Sequence, residues 1–213
     1  MKKIEYMKVK ELAETIKGLQ VDTKTNFSIL KSASNLVEND NNYNRIKLLN
    51  YKMIKMLAIE KDMKYLEHIQ CVEQDLSKKY KDYSIQNGDI VIPVFPNKEQ
   101  LDIIYVENVN ADKCVYNDSN LIIRVVSDKI NPQYLYTILN SKTIKDKILK
   151  LCNKNTRQAR ITATILEDLD IPILSIEQQE EIVKSYTNAI NQLKQVENGI
   201  GEIVKGGMPY GTK

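Results

Sequence analysis

The stretch DLDIPILSIEQQEEIV, residues 168–183, joins a short apolar segment to the beginning of a long polar one. Its apolar residues 171–174 predict the last strand of a globular unit. Ser175 is a helix N-cap, and Gln178 three residues later completes a Ser-x-x-Gln capping box. The first turns then carry acidic residues, which the helix dipole favours by roughly 0.3–1 kcal/mol per group. The stretch therefore predicts a boundary at Ser175 between a globular domain and a long helix.

A heptad pattern continues for three heptads beyond this cap. Its apolar members are spaced alternately four and three residues apart: Ile182, Tyr186, Ala189, Leu193, Val196, Ile200 and Ile203. A seam of this kind is typical of a helix that pairs with another helix, so we predict a dimer or partner interface. Further apolar residues beside the seam widen the stripe. They leave open the alternative of a C-terminal helix packed against its own domain.

Composition excludes several classes of protein. The chain has 213 residues, of which 42% are hydrophobic and 28% charged, as expected of one folded domain with an appendage. Its three cysteines are far apart and its single histidine, His68, has no metal-site spacing, so we predict no metal. No glycine pattern matches a phosphate-binding loop. No apolar run approaches the roughly 18 residues that span a bilayer, and we predict a cytoplasmic protein with no membrane contact.

Periodicity and turn residues upstream predict a mixture of strands and helices. Residues 8–17 have helical spacing with Gly18 as a stop, and residues 35–45 are rich enough in Asn and Asp to form a loop. We place strands at 46–49, within 84–95, at 101–106 and at 121–126, with Pro93 marking a bulge or an edge. One or two helices follow over 131–151, capped by Asn131 with Pro132 at the first position. Nothing is predicted for 51–70. The fold class is α+β.

Charge is unevenly distributed along the chain. Residues 141–161 contain seven Lys or Arg and one Asp, whereas residues 167–204 contain eight acidic and two basic residues. Within the basic part, NKNTRQAR has side chains that neutralise phosphates and hydrogen-bond to base edges. The predicted DNA-binding residues are Lys150, Lys154, Asn155, Arg157, Gln158 and Arg160. Tyr43, Arg45 and Lys47, in and beside the Asn-rich loop, form a second candidate, for which a simple surface loop is the alternative.

The tetrapeptide Asn131-Pro132-Gln133-Tyr134 has two interpretations. It differs by one residue from the Asn-Pro-Pro-Tyr loop with which amino-methyltransferases hold a flipped adenine. The same residues also form a regular helix start, with Asn131 as cap and Pro132 at the first position. The chain has no glycine-bearing loop for S-adenosylmethionine after a strand. We therefore favour the helix start.

Four segments, in order, resemble the specificity subunit of type I restriction-modification systems in a short form. VKELAETIKG resembles the family's opening helix and glycine, and YSIQNGDIVIP its "GDI" strand entry. INPQYLYTILNS resembles its "i-x-P-x-Y-L" helix, and TRQARITATILEDLDIPILSIEQQEEIV its closing strand and capped helix. Residues 19–79 carry little resemblance.

The resemblance implies a DNA-reading subunit without catalytic residues. It implies a target recognition domain at 1–174, a dimerisation and spacer helix at 175–205 and a tail at 206–213. The usual subunit has two recognition domains and two such helices, so one of each implies a homodimer or a second half-subunit. The implied partners are double-stranded DNA, an adenine methyltransferase subunit carrying S-adenosylmethionine, and a restriction subunit. A stand-alone adenine methyltransferase using Asn131 and Tyr134 and a coiled-coil adaptor that binds only protein are the alternatives.

Overall fold

The computed structural model describes residues 4–20, 29–30, 45–60, 71–73, 80–97, 100–108, 114–152 and 159–206. The strands are β1 Glu5–Lys8, β2 Ala13–Lys17, β3 Ile29–Leu30, β4 Arg45–Leu49, β5 Cys71–Glu73, β6 Ile90–Pro93, β7 Ile104–Tyr105, β8 Cys114–Tyr116, β9 Asn120–Val125 and β10 Asp170–Ile173. The helices are α1 Val9–Leu12, α2 Tyr51–Glu60, α3 Tyr80–Tyr83, α4 Pro132–Leu139, α5 Lys142–Cys152, α6 Ala163–Glu167 and α7 Ile176–Gly206. The predicted α+β class with a long C-terminal helix is confirmed.

The central sheet has the strand order β2-β9-β6-β7 and is antiparallel throughout. Both of its faces are covered, which explains why β6 and residues 121–123 of β9 are continuous apolar runs. Ile90, Ile92 and Ile123 point into the larger core, which α4, α5 and α6 close. Val91, between Ile90 and Ile92, and Ile122, just before Ile123, point into a smaller core with Ile54 of α2. The alternation follows from the two-residue period of a strand.

Two further sheets complete the described architecture. In the order β3-β5-β4-β8, strands β4 and β8 run parallel and the other pairs antiparallel. The third sheet pairs the first and last strands, with Glu5 opposite Ile173 and Lys8 opposite Asp170. This pairing joins the beginning of the chain to the residues just before the long helix.

The predicted helix over residues 8–17 is wrong for its second half. Only Val9–Leu12 is helical, and Ala13–Lys17 pairs with β9 over five residues. Gly18 therefore does not end a helix. A Cβ atom there would lie 1.9 Å from the backbone oxygen of Asn117, so Gly18 is needed because two backbone segments approach closely.

Other predicted boundaries shift by a few residues. The strand expected at 101–106 is only Ile104–Tyr105, whereas the strands expected at 46–49 and 121–126 are present. Pro93 is the last residue of β6; it lies opposite Asn120 of β9 and beyond the two residues that pair with β7. There the missing N–H costs no hydrogen bond to β7. Residues 51–60, for which no element was predicted, form α2. The predicted loop at 35–45 lies outside the described residues except for Arg45, which is the first residue of β4.

The Gly-Asp-Ile segment at the start of β6 has a structural role, because it forms a turn and a buried hydrogen-bond network. Gly88 has φ +94°, a left-handed conformation that favours glycine, and turns the chain into the strand. The carboxylate of Asp89 is 1% exposed and accepts hydrogen bonds from Arg124 at 2.8 Å and from the Tyr116 hydroxyl at 2.8 Å. Burial, and then the Asp89 charge, raise the pKa of Tyr116. The carboxylate thus links β6 to β8 and β9.

Candidate functional site

The predicted DNA-binding residues between Lys150 and Arg160 are described only at the two ends of that range. Lys154, Asn155, Arg157 and Gln158 lie outside the described residues, as does Tyr43 of the second candidate. Arg45 and Lys47 lie in β4, opposite Glu73 and Cys71 of β5, but their side chains are not described. Lys150, which precedes the segment NKNTRQAR at residues 153–160, and Arg160, its last residue, are both exposed. The assignment of these nine residues to DNA stays a prediction.

Arg160 is held in place by its neighbours in sequence. Ala159 and Ile161 are buried in the larger core, and the Ile161 N–H donates to the Val94 carbonyl at 2.9 Å. The side chain of Arg160 points outward, with its guanidinium carbon 5.9 Å from the centre of the Phe95 ring. Phe95 is 51% exposed although the five residues before it are buried. Sequence reasoning missed Phe95, because only the fold brings it beside Arg160.

Helix α5 presents basic residues to solvent just before the basic segment. Ile148 and Cys152 face the core, whereas Lys142, Lys147 and Lys150 are exposed. A shallow cleft of about 470 Å³ lies along this face, lined by Thr143, Asp146, Lys147, Lys150 and Leu151. The exposed amines give α5 a surface that attracts anions.

The Asn131–Tyr134 segment is the start of α4. The Asn131 side-chain oxygen accepts from the N–H groups of Gln133 at 2.8 Å and Tyr134 at 3.3 Å, which is the predicted cap. Tyr134 is fully buried, and its hydroxyl donates to the Pro172 carbonyl at 2.9 Å. Burial raises the pKa of Tyr134. Neither side chain is free to grip or stack on a base, so the helix-start interpretation is confirmed.

The start of α7 is fixed by a capping box and by a buried glutamine. The Ser175 N–H donates to Gln178 Oε1 at 3.2 Å, and the Gln178 N–H donates to Ser175 Oγ at 3.4 Å, as predicted. Gln179 was not predicted to have a role, yet it is fully buried. Its oxygen accepts from the Asn131 N–H at 2.8 Å, and its amide donates to the carbonyls of Lys129 and Leu174 at 2.9 Å each.

The first part of the predicted seam contacts the chain's own domain. Ile182 packs against the larger core. The amide of Asn140 donates to the Tyr186 hydroxyl at 2.7 Å, and the Tyr186 ring meets Tyr136 edge to face at 6.2 Å. These contacts are what the alternative of a helix packed on its own domain requires. Beyond them a cleft of about 530 Å³ separates α7 from α4 and β7, with Ile190 and Lys194 on its helix side.

The distal part of the seam is exposed. Leu193 is 59%, Val196 59% and Ile200 55% exposed. Ala189 is also exposed, and the side chain of Ile203 is not described. Three large apolar side chains at heptad spacing in water are the pattern expected of a helix without its partner. The interface stays a prediction for these distal residues.

No group of three or more His, Cys, Asp or Glu side chains among the described residues is placed to hold a metal ion. None of the described helices is long and apolar enough to cross a membrane.

Comparison with known proteins supports the resemblance seen in the sequence. No protein-family model matches the chain. Two curated relatives from Methanocaldococcus jannaschii do: the specificity subunits of the type I restriction enzymes MjaX, 24% identical over 140 residues, and MjaVIII, 27% identical over 133 residues. These matches cover 64% and 59% of the chain but only 32% and 30% of the relatives. The chain thus spans about a third of the length of the curated relatives it matches.

Solved structures of similar fold superpose on nearly the whole chain. The HsdS subunit from Thermoanaerobacter tengcongensis superposes with a TM-score of 0.58 at 14% identity, covering 95% of the chain and 46% of that subunit. The chain has the fold of a type I specificity subunit. The S subunit from M. genitalium gives a TM-score of 0.52 at 13% identity, covering 95% and 43%. A chain from a study of complex assembly in a type I restriction-modification system gives 0.59 at 16%, covering 93% and 41%.

Proposed function

We propose that the chain is the sequence-reading specificity subunit of a type I or related restriction-modification system, in a form with one target recognition domain. The observation that carries this proposal is the extent of the structural match. The match includes both the globular part and the long helix, because it covers 93–95% of the chain. It covers less than half of each matched chain. Residues 1–174 would read one DNA half-site, residues 175–205 would space and dimerise, and residues 206–213 would form a tail.

The proposed assembly contains two copies of the chain. A subunit with one recognition domain and one spacer helix needs a second of each to read a bipartite site. The exposed residues Leu193, Val196 and Ile200 supply the surface on which a second α7 would pack. A two-fold axis between two identical helices makes the contact self-complementary. The second half in this proposal is a copy of the same chain.

The chain itself is proposed to be non-catalytic. Asn131 and Tyr134, the residues that suggested base gripping, are engaged in capping and in the core. In this proposal the methyltransferase subunit brings S-adenosylmethionine and the adenine chemistry, and a restriction subunit brings cleavage. The chain would act in the cytoplasm, where it contributes recognition and spacing.

DNA binding tests the proposal directly. Because Lys and Arg would release counterions from several phosphates, the affinity for duplex DNA should fall on the order of 10³-fold between 50 and 200 mM salt. Fluorescence anisotropy with labelled duplexes measures this slope. The double variant Lys154→Ala with Arg157→Ala should weaken binding and flatten the slope by about two charges.

A matched variant separates this effect from a general loss of charge. Lys129→Ala with Lys184→Ala removes two exposed positive charges outside the proposed surface. This control should bind nearly as well as the wild type. A chain that binds no DNA at 50 mM salt, alone or with its methyltransferase, would reject the proposed function. Equal slopes for both double variants would reject the assigned surface only.

A further inference from the structure

Phe95 is an exposed aromatic residue whose position is fixed on both sides. The preceding Val94 is buried, its N–H donates to the Ser119 carbonyl at 2.9 Å, and its carbonyl accepts from Ile161 at 2.9 Å. The following Pro96 restricts the backbone. The ring nevertheless projects into solvent with 51% of the residue exposed. A core strand thus ends in a rigid position that presents an apolar ring outward.

Arg160 offers a planar group of hydrogen-bond donors beside that ring. Within the described part of the chain, its guanidinium forms no ion pair and no hydrogen bond. Arg124 provides the contrast, because its guanidinium is committed to Asp89 and to the Ser84 carbonyl. Arg160 also closes the basic segment, whose preceding residues carry the predicted phosphate contacts. With no partner among the described residues, its donors can serve a ligand that approaches this segment.

The two groups together match the chemistry of base edges in the major groove. A guanidinium recognises the O6 and N7 acceptors of guanine, and an apolar ring contacts the 5-methyl group of thymine. The guanidinium carbon and the ring centre are 5.9 Å apart. That separation lies between one and two base-pair rises of roughly 3.4 Å each. Because both groups extend from these two points toward the base edges, the pair has the span to contact two adjacent base pairs at once.

We propose that Phe95 and Arg160 form a base-reading pair, in which Arg160 recognises a guanine and Phe95 the methyl group of a thymine in the neighbouring base pair. The inference rests on the proposed DNA-reading function and specifies two of the residues that determine its sequence preference. Two elements 65 positions apart in sequence are pinned together by the Val94 and Ile161 backbone, so the pair is preorganised.

The test combines protein variants with base analogues in a thermodynamic cycle. Selection from a random duplex library with the wild-type chain, in complex with its methyltransferase if binding requires it, first defines the half-site. Each thymine is then replaced by deoxyuridine, which lacks only the methyl group, and each guanine by 7-deazaguanine, which lacks the N7 acceptor. Affinities are measured for the wild type, Phe95→Ala and Arg160→Ala.

The proposal predicts coupling at one thymine and one adjacent guanine. Removing that thymine methyl should weaken the wild type about fourfold, as burial of one methyl group implies, and should not weaken Phe95→Ala further. Removing N7 of the guanine should weaken the wild type roughly fivefold or more, with no additional loss in Arg160→Ala. Tyr6→Ala, which removes another exposed aromatic ring, and Lys129→Ala, which removes another exposed charge, should show the full analogue effects.

Three outcomes would overturn the pair. Equal analogue effects in the wild type and both variants mean that the two residues do not read bases. A uniform loss of affinity in Arg160→Ala, with no analogue coupling, means a phosphate contact only. Coupling at two distant base pairs means that the residues act separately. Failure of the selection to yield any sequence counts against the proposed function itself, which keeps the two failures distinguishable. Circular dichroism confirms that each variant is folded.

Discussion

At the scale of single residues, the junction between domain and helix depends on a glutamine. In the run Glu177 to Glu181 every neighbour is exposed, and the sequence gives no sign that Gln179 is different. Its side chain nevertheless satisfies one backbone N–H and two backbone carbonyls from two separate segments, residues 129–131 and Leu174. Buried backbone groups of this kind need partners. Gln179 therefore fixes the direction in which α7 leaves the domain.

We predict that Gln179→Leu destabilises the domain by about 2–3 kcal/mol. The substitution leaves the Asn131 N–H and the carbonyls of Lys129 and Leu174 without their partner, and unsatisfied buried groups cost about 1–3 kcal/mol. Urea unfolding followed by circular dichroism measures the change. Gln178→Ala is the matched control, because Gln178 is exposed and supports only the cap, so its loss should cost about 1 kcal/mol or less. Equal losses for the two variants would contradict the role assigned to Gln179.

At the scale of elements, local sequence signals predicted where helices begin better than they predicted whether a segment is a helix or a strand. Asn131 with Pro132, and Ser175 with Gln178, were found because capping chemistry depends on neighbours in sequence. Residues 13–17 were predicted as helix because their spacing permits it, but pairing with β9 decided the outcome. Strand pairing is a tertiary interaction that overrides weak propensity.

The candidate site shows the same limit. Arg160 was found from its place in a basic run, whereas Phe95 is 65 positions away and becomes relevant only through the contact of Val94 with Ile161. The seam was predicted as one surface from its heptad spacing. Its first turns pack on α4 instead, because Asn140 and Tyr136 lie in reach of Tyr186. A periodic pattern identifies an apolar face but does not identify what covers it.

We predict that Leu193→Glu converts a dimer into monomers. Leu193 is 59% exposed in the single chain, so the substitution should not disturb folding. In a paired seam it would bury a charge against apolar side chains, which is strongly unfavourable. Analytical ultracentrifugation at micromolar concentration measures the state. Gln195→Glu adds the same charge two residues away, outside the seam, and should remain dimeric. A wild type that is already monomeric, or a Leu193→Glu variant that still dimerises, would exclude this interface.

At the scale of the whole molecule, charge and shape distinguish the globular part from the long helix. Residues 141–161 carry seven basic residues against one acidic residue, whereas residues 167–204 carry eight acidic residues against two basic ones. DNA attracted to the first part would be repelled from the second, which leaves α7 free for protein contacts. A helix of 31 residues is about 46 Å long at 1.5 Å per residue. That length exceeds one turn of DNA, roughly 34 Å, so in the proposed dimer the two domains would reach separate half-sites.

The proposed two-copy assembly makes a prediction about the recognised sequence. Because identical domains related by a two-fold axis present the same residues to each half-site, the target should be an inverted repeat separated by on the order of one turn of DNA. Sequencing of methylated adenines in plasmid DNA, from cells that express the chain with its methyltransferase, measures the site. Leu193→Glu should abolish methylation even though its domain is folded, since one half-site alone binds too weakly. An asymmetric target would indicate a different second half, and methylation by the chain without its partner would contradict the non-catalytic role.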